Sequence, residues 1–300
     1  MVAKAEVVEE KLPVAPPKDS VAASEVSLYR NVLKIKKEHD LEGLGIAFYD
    51  AQTTIQWAYN GDQYFHAAST MKLAVLLGVF RQVERGELTL DAAVHVRNRF
   101  TSIVNREPFM LDLSRDADPD VYGHLGRTLT IRELAYWMIT KSSNLATNLL
   151  VDVVGIPTIE QALDELDIDG VRILRGVEDQ AAFEAGLNNE VTANGLLKLL
   201  RLVAEEKAYS KKSSEEMLNV LFEQQYRSGI PAGLPKEIRV AHKTGNISTV
   251  HHDAGIVFVE GRKPYVLVIL TQFRAETGRG TAVADVSRDI YNTIADMTYE

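Results

Sequence analysis

The sequence predicts an α+β fold of the α/β sandwich type, in which strands from both ends of the chain form one antiparallel sheet. Two observations lead to this prediction: segments with strand character occur near the two ends, and the middle third has mainly helical periodicity. We therefore expect helices packed on the sheet and an all-helical domain inserted between its strands. With 300 residues and a hydrophobic content of 46%, the chain can bury a sizeable core.

The start of the chain predicts a linker, a helix and a β-hairpin. Residues 1–24 contain three prolines among small and charged residues and no long apolar run, which is typical of a flexible linker or tail. Helical spacing then covers residues 26–39. Two strands, Leu44–Tyr49 and Thr54–Tyr59, follow on either side of the turn-like Asp50-Ala51-Gln52, which predicts a hairpin.

The next helix is predicted over Thr70–Gly86, because its large apolar residues recur on one face. Ser69 therefore falls at a helix N-terminus. Five more helices are predicted in the middle of the chain, each opened by a Ser, Thr, Asn or Pro. They cover Thr130–Thr140, Asn144–Val154, Pro157–Leu166, Thr192–Glu206 and Ser213–Gln224. Two long irregular stretches, Val96–Arg127 and Arg172–Glu190, lie between the helices, and loops of that length are usually functional.

The last part of the chain predicts three strands and a closing helix. The strands are Ile238–Lys243, Gly255–Val259 and Tyr265–Thr271, and the helix is Ala282–Met297. We therefore expect a single domain over residues 25–300. Within it, 25–66 and 230–300 contain the sheet, whereas 67–229 is mainly helical. A cleft between the two parts is the expected ligand site.

Composition excludes several classes of function. The net charge of −9, with acidic and basic residues interspersed, provides no basic stripe for nucleic acid. The chain has no cysteine, so neither disulfides nor thiolate metal sites are available. The cluster His251-His252-Asp253 falls on a predicted strand, where adjacent side chains point to opposite faces. We therefore expect no metal, no cofactor and no nucleic-acid partner.

Three short motifs carry the candidate chemistry. In Ser69-Thr70-Met71-Lys72 the lysine shares a helical face with the serine, so a partly desolvated amine could accept the proton of a nucleophilic hydroxyl. Ser142-Ser143-Asn144 follows a predicted helix, and Lys243-Thr244-Gly245 ends a predicted strand. Each motif alone also fits a helix cap or a solvated strand end. All three in this order are far more specific.

With these motifs the chain resembles the class A β-lactamase and penicillin-binding-protein superfamily of active-site serine hydrolases. The similarity extends to four longer segments and covers most of the chain after about residue 25. These segments are FHAASTMKLAVL, TIRELAYWMITKSSNLATNLLVDVVG, RSGIPAGLP and VAHKTGNISTVHHDAGIV. The resemblance implies a β-lactamase/transpeptidase-like fold.

The resemblance also implies roles for the residues that match its motifs. Ser69 would attack the carbonyl carbon of a lactam or peptide, with Lys72 as a candidate proton acceptor. The backbone N–H groups of Ser69 and Asn246 would form an oxyanion hole. Ser142 would relay a proton to the leaving nitrogen.

A second set of matching residues would bind the substrate. The resemblance implies that Asn144 holds both Lys72 and the substrate amide. Lys243 and Thr244 would receive the substrate carboxylate, and Gly245 belongs to the same set. An amine that faces a carboxylate at a strand edge is also physically sensible without the resemblance.

The glutamate that activates the deacylating water in class A β-lactamases is ambiguous in this sequence. The corresponding loop is RGVEDQAAFEAGLNN, from Arg175 to Asn189. Glu184 copies the family's local spacing, whereas Glu178 lies near the position in the loop where the family places its base, and we favour Glu178. Both glutamates also fit plain solvated loop carboxylates. The family's loop-closing arginine–aspartate pair is replaced by Arg175 and Asn189, which predicts a looser loop.

Two other parts of the pattern depart from the family. Many class A enzymes carry a carboxylate-binding arginine after Lys-Thr-Gly, but here His251 and His252 stand near that place. Either histidine could bind a carboxylate when protonated or could simply fill the strand. The long segment from Asn98 to Gly126 looks expanded, and either Phe109 or Tyr122 could form a wall of the cleft.

We therefore predict a serine β-lactamase that opens the β-lactam ring through a Ser69 acyl-enzyme and releases the product with water. One alternative is a D-alanyl-D-alanine peptidase of the cell wall, and another is a penicillin-binding sensor domain that stays acylated. The expected partner is a small-molecule substrate, either a β-lactam or a D-Ala-D-Ala peptide. We expect a monomer that acts in the periplasm or is secreted, its export signal having been removed, and no membrane span.

Overall fold

The computed structural model describes residues 21–274 and 280–297. The predicted linker over residues 1–24 lies for the most part outside these ranges. The first helix begins at Val21, five residues earlier than the sequence predicts. Within the described ranges, no helix combines the length and apolar character that crossing a bilayer requires.

Nine helices and twelve strands occur in the described residues. The helices are α1 Val21–Glu38, α2 Lys72–Glu84, α3 Ile131–Thr140, α4 Asn144–Val154, α5 Ile156–Glu165, α6 Gln180–Glu184, α7 Ala193–Ala204, α8 Lys211–Phe222 and α9 Ala282–Met297. The strands are β1 Leu41–Asp50, β2 Gln56–Tyr59, β3 Phe65–His66, β4 Ala93–His95, β5 Phe100–Thr101, β6 Pro108–Phe109, β7 Thr128–Thr130, β8 Val171–Arg172, β9 Glu190–Val191, β10 Arg239–Ile247, β11 Val250–Phe258 and β12 Tyr265–Phe273.

The main sheet has five antiparallel strands in the order β10-β11-β12-β1-β2. Strands β1 and β2 come from the start of the chain and the other three from its end, so the predicted sheet built from both termini is confirmed. The register places Ile46 opposite Ile269 and Lys243 opposite Ala254. Strand β11 begins at Val250, five residues before its predicted start, because three buried polar residues in its first half hide the usual apolar pattern of a strand.

Helices cover both faces of this sheet. On one face α1 and α9 pack together on a core that includes Leu44, Ile46 and Ile290. On the other face α7 contacts β1 and β12, and behind it the helical part of the chain forms a second, larger core. The three sequence motifs lie at the boundary between the sheet and this helical part.

The two long stretches predicted to be irregular contain short elements of structure. The first includes the two-stranded pair β5–β6 and two 3-10 turns, Leu113–Arg115 and Asp120–His124. The second, which the sequence predicts over Arg172–Glu190, includes α6 and ends in β9. Both stretches reach the cleft that contains Ser69.

Candidate active site

Ser69 lies in a 3-10 turn, Ala68–Met71, that leads directly into α2. Ala68 has a left-handed backbone with a φ of 44°, which is uncommon for a residue with a side chain and often marks functional sites. The hydroxyl of Thr70 donates a hydrogen bond of 2.6 Å to the carbonyl oxygen of Ala67 and so closes the turn. The structure thus presents Ser69 from a fixed backbone at the wall of a cleft.

Strand β10 runs very close to this turn, and Gly245 makes the approach possible. A Cβ atom at Gly245 would lie 3.0 Å from Cγ2 and 3.1 Å from the backbone nitrogen of Thr70. Asn246, the next residue, lines the same cavity as Ser69. Ser69 and Asn246 are therefore neighbours at the wall of one cleft.

Lys72 is completely buried at the start of α2. Its Nζ donates hydrogen bonds to the carbonyl oxygen of Ser142 at 2.7 Å, to Ser142 Oγ at 3.1 Å and to Asn144 Oδ1 at 3.0 Å. In the described residues none of its hydrogen bonds goes to Ser69. Burial lowers the pKa of Lys72 to about 7, against the opposing charges of Asp116 and Glu178. An amine with this pKa is poised to exchange a proton near neutral pH.

Ser142 lies between two buried lysines. Its Oγ accepts hydrogen bonds of 3.1 Å from both Lys72 Nζ and Lys243 Nζ. Ser142 has a φ of 60°, so a second strained backbone position supports this site. Lys243 also donates to the carbonyl oxygen of Thr244 at 2.9 Å. Burial, and then the charge of Lys72, hold the pKa of Lys243 well below its usual value.

Asn144 joins this group to the loop that contains Glu178. Its Nδ2 donates a hydrogen bond of 2.8 Å to Glu178 Oε1. Glu178 Oε2 accepts from the backbone nitrogen of Asp112 at 3.2 Å. Glu178, also with a left-handed φ of 61°, lines a cavity of about 500 Å³ together with Ser69, Asn144 and Asn246.

Glu184 does not reach this cavity. It is the last residue of α6, it is exposed, and its Oε1 accepts a hydrogen bond from Gln180 Nε2 at 2.9 Å. Of the two candidate glutamates, the structure therefore brings only Glu178 together with Ser69, Lys72, Ser142 and Asn144.

The ends of the glutamate loop are joined by hydrogen bonds to uncharged acceptors instead of by an ion pair. The guanidinium of Arg175 donates to the carbonyl oxygen of Leu187 at 2.9 Å and to Asn188 Oδ1 at 3.0 Å. The amide of Asn189 accepts from the backbone nitrogens of Leu174 and Arg175 and donates to the carbonyl oxygen of Arg175. Both side chains are buried, so the loop is closed although the charged pair is missing.

Two residues that the sequence analysis did not identify fix the part of the loop around Glu178. The side-chain amide of Asn148 accepts a hydrogen bond from the backbone nitrogen of Val177 at 2.7 Å and donates one to the backbone oxygen of Val177 at 3.0 Å. Asp179 accepts from Ser102 Oγ at 2.8 Å and from the nitrogen of Ile103 at 2.9 Å. Asn148 stands one helical turn after Asn144, a spacing that could have indicated a shared face.

A third residue that the sequence analysis did not identify is Asp116. Its carboxylate accepts hydrogen bonds from the backbone nitrogens of Asn144 and Leu145, at 2.9 to 3.0 Å, and so caps the N-terminus of α4. The cap fixes the backbone from which Asn144 reaches Lys72. Because Asp116 belongs to the long segment between β4 and β7, no local pattern in the sequence indicates this contact.

His252 is a structural residue of the sheet. It is completely buried, its Nδ1 accepts from the nitrogen of Thr271 at 3.1 Å, and its Nε2 lies 3.0 Å from the carbonyl oxygen of His66. Burial lowers the pKa of His252 to about 4, so the ring is neutral at physiological pH. His251 is buried too, opposite Asn246 in the β10–β11 pair.

Neither aromatic residue proposed as a wall of the cleft lines it in the described part of the chain. Phe109 packs against Phe100, with ring centroids 5.9 Å apart, and Tyr122 belongs to a 3-10 turn with its hydroxyl buried. The residue of the long segment that lines both halves of the cleft is Arg115.

The fold and this arrangement of two serines and two buried lysines define a serine hydrolase of the β-lactamase type. A model of the beta-lactamase enzyme family matches residues 27–294. A beta-lactamase of Bacteroides uniformis is 25% identical over 257 residues, which cover 79% of this chain and 81% of that protein. The chain belongs to the beta-lactamase enzyme family.

Solved structures show the same fold. The crystal structure of a beta lactamase from Xanthomonas campestris pv. campestris matches with a TM-score of 0.78 at 21% identity, over 90% of this chain and 98% of that one. The structure of PBP-A matches with a TM-score of 0.76 at 24% identity, over 95% of this chain and 100% of that one.

Proposed function

We propose that the protein is a class A-like β-lactamase that hydrolyses β-lactams through an acyl-enzyme on Ser69. Ser69 Oγ attacks the lactam carbonyl carbon, and the N–H groups of Ser69 and Asn246 stabilise the oxyanion. The carbon–nitrogen bond then breaks, the ring nitrogen takes a proton, and an ester remains on Ser69. Water cleaves the ester and returns the hydroxyl.

Lys72 and Ser142 move the proton during acylation. Lys72, with a pKa of about 7, is neutral in a large fraction of molecules at neutral pH and can take the Ser69 proton once one of its present hydrogen bonds is released. Ser142 Oγ is bonded to Lys72 Nζ, so it can pass a proton to the leaving nitrogen and recover one from the lysine.

Glu178 removes a proton from the water during deacylation. It lines the cavity that contains Ser69, and its Oε1 is oriented by Asn144 Nδ2. The cavity of about 500 Å³ has room for both a substrate side chain and a water molecule. A base placed this way distinguishes a β-lactamase from a protein that stays acylated.

The observation that carries this proposal is one continuous set of hydrogen bonds. It runs from Lys243 through Ser142 to Lys72 and from Lys72 through Asn144 to Glu178. The set joins the groups for acylation to the group for deacylation. A peptidase or a sensor domain needs only the first part.

The proposal extends to the setting in which the protein works. An enzyme that intercepts a β-lactam before it reaches the cell-wall enzymes must act outside the cytoplasm, so we place it in the periplasm or in the secreted fraction, as a monomer that confers antibiotic resistance. Cell fractionation, gel filtration and susceptibility testing of an expressing strain check these three statements.

The test of the proposed function uses Ser69→Ala and intact-protein mass spectrometry with benzylpenicillin. The wild type should hydrolyse the lactam, whereas Ser69→Ala should give no covalent adduct and keep its circular dichroism spectrum, because only a hydroxyl is removed. Adduct at full stoichiometry on Ser69→Ala contradicts the assigned nucleophile. Lasting adduct on the wild type without turnover contradicts the hydrolase, and release of D-alanine from a cell-wall peptide would then identify the peptidase.

A further inference from the structure

The Ser69 cleft has a second, smaller compartment of about 260 Å³. It is bordered by Ser69, Ser142, Thr244 and Asn246, together with Arg115 and Tyr226. Of the residues that the structure describes, none with a carboxylate lines this compartment, whereas Glu178 and Asp179 line the larger one. An anionic group of the substrate is therefore better accommodated in the smaller compartment.

In the part of the chain that the structure describes, no lysine and no histidine lines this compartment. Lys243 is completely buried, and its Nζ is bonded to Ser142 Oγ and to the carbonyl oxygen of Thr244. His252 uses both ring nitrogens for contacts within the fold. Arg175 lines only the larger compartment, and its guanidinium is bonded to the ends of the glutamate loop.

Arg115 differs from these residues in exposure and in bonding. It is the last residue of the 3-10 turn Leu113–Arg115, and its side chain is exposed. Among residues 21–274 and 280–297, its guanidinium forms no ion pair and no hydrogen bond. The pKa of Asp112 is lowered chiefly by its hydrogen bonds with Ser114 and also by the charge of Arg115. A guanidinium is always charged and can bind both oxygens of a carboxylate.

We propose that Arg115 binds the carboxylate on the ring of the β-lactam, from the long segment between β4 and β7. This inference rests on the proposed function. Arg115 supplies the charge, and the hydroxyls of Ser142 and Thr244 supply neutral hydrogen bonds in the same compartment. Arg115 thereby replaces the strand arginine that many class A enzymes have and that this sequence lacks.

The experiment compares benzylpenicillin with its methyl ester, which lacks the ring charge. The kcat/KM for benzylpenicillin divided by that for the methyl ester should fall by about 10-fold or more in Arg115→Ala, since a hydrogen bond to a charged group is lost. Arg115→Lys should give an intermediate ratio, because lysine keeps the positive charge but cannot form the bidentate contact of a guanidinium with a carboxylate. Arg99→Ala, an exposed arginine on the same segment that does not line the cleft, should keep the wild-type ratio.

A binding measurement separates this inference from the proposed function. Calorimetry with Ser69→Ala and Ser69→Ala/Arg115→Ala measures the affinity for benzylpenicillin without any acylation, and the double variant should bind at least about 10-fold more weakly. An unchanged ratio and an unchanged affinity, or no binding to Ser69→Ala at all, overturn the role of Arg115. Failure of the wild type to form an adduct contradicts the proposed function alone.

A third experiment tests whether Arg115 instead binds a carboxylate on the acyl side chain. Carbenicillin is benzylpenicillin with an added carboxylate on the side chain, so both substrates share the ring charge. Arg115→Ala should lower kcat/KM for the two by similar factors. A loss confined to carbenicillin would overturn binding of the ring carboxylate.

Discussion

Asn144 Nδ2 donates to Glu178 Oε1 at 2.8 Å, while Oδ1 of the same amide accepts from Lys72 Nζ at 3.0 Å. The orientation of the amide is fixed by these two partners, because a flipped amide would place a donor against the lysine and an acceptor against the carboxylate. One side chain therefore holds both candidate bases of the reaction. The groups proposed for acylation and deacylation are separate in the sequence but joined through Asn144 in the structure.

Glu178→Gln should trap a long-lived penicilloyl ester on Ser69. The amide of glutamine keeps the size of the side chain but cannot take a proton from water, so deacylation slows far more than acylation, by about 100-fold or more. Intact mass measured over time after a pulse of benzylpenicillin reports the ester directly.

The matched control for this experiment is Glu184→Gln. Glu184 is exposed and does not line the cleft, so this variant should turn over like the wild type. Accumulation of the ester in Glu184→Gln and normal turnover in Glu178→Gln would assign the deacylating role to Glu184.

Acylation should depend on pH through Lys72. Its pKa is lowered to about 7, so the amine is protonated and unable to accept a proton at lower pH, and neutral at higher pH. The value of kcat/KM should therefore rise through pH 7 and fall about tenfold per pH unit well below it. A profile measured from pH 5 to 8.5 checks this, and a flat acidic limb would exclude Lys72 as the base.

Lys243→Ala should slow acylation by similar factors for benzylpenicillin and its methyl ester. The Nζ of Lys243 is buried and bonded to Ser142 Oγ, so its loss affects the proton relay before any contact with the substrate. We expect a loss of about 10- to 100-fold, corresponding to one hydrogen bond from a charged group. Stopped-flow acylation rates for the two substrates test this prediction. A much larger loss of rate for benzylpenicillin than for its methyl ester would make Lys243 the carboxylate ligand that the sequence predicts.

Gly245→Ala should displace β10 from the turn that contains Ser69. The added Cβ would lie 3.0 Å from Thr70 Cγ2 and 3.1 Å from its nitrogen, so strand and turn must separate by a few tenths of an ångström. We expect slower acylation and a stability loss of about 1–3 kcal/mol, measured by urea unfolding. Gly123→Ala is the control, because nothing lies within 4 Å of the Cβ at that position.

Much of the fold could be predicted from the sequence, because periodicity reports burial directly. The helices of the middle third, the strands at both ends and the closing helix follow from that pattern. The early part of β11 could not be predicted, because His251, His252 and Asp253 are polar yet buried. Their burial depends on tertiary partners such as Thr271, which periodicity does not reveal.

The site could be predicted as far as its motifs extend. Ser69, Lys72, Ser142 and Lys243 are close together in the structure, and their motifs indicated them. Asp116 could not be predicted, because it acts on a backbone distant from its own in the sequence. Asn148 also acts on a distant backbone, and only its spacing from Asn144 indicates a shared helix face. The burial of Lys243 could not be predicted either, because motif spacing does not show whether the amine is exposed to the cleft or bonded within the fold.

The contacts of Glu178 and Asp179 with the segment between β4 and β7 have a consequence for evolution. Ser102, Ile103 and Asp112 of that segment donate hydrogen bonds to these two acidic residues, so the segment and the loop that holds the proposed base form one hydrogen-bonded unit. Under the proposed function, a substitution that displaces this segment also displaces Glu178. Sequence changes in the segment and in the loop are therefore expected to be coupled in evolution, because these hydrogen bonds transmit a displacement of one to the other.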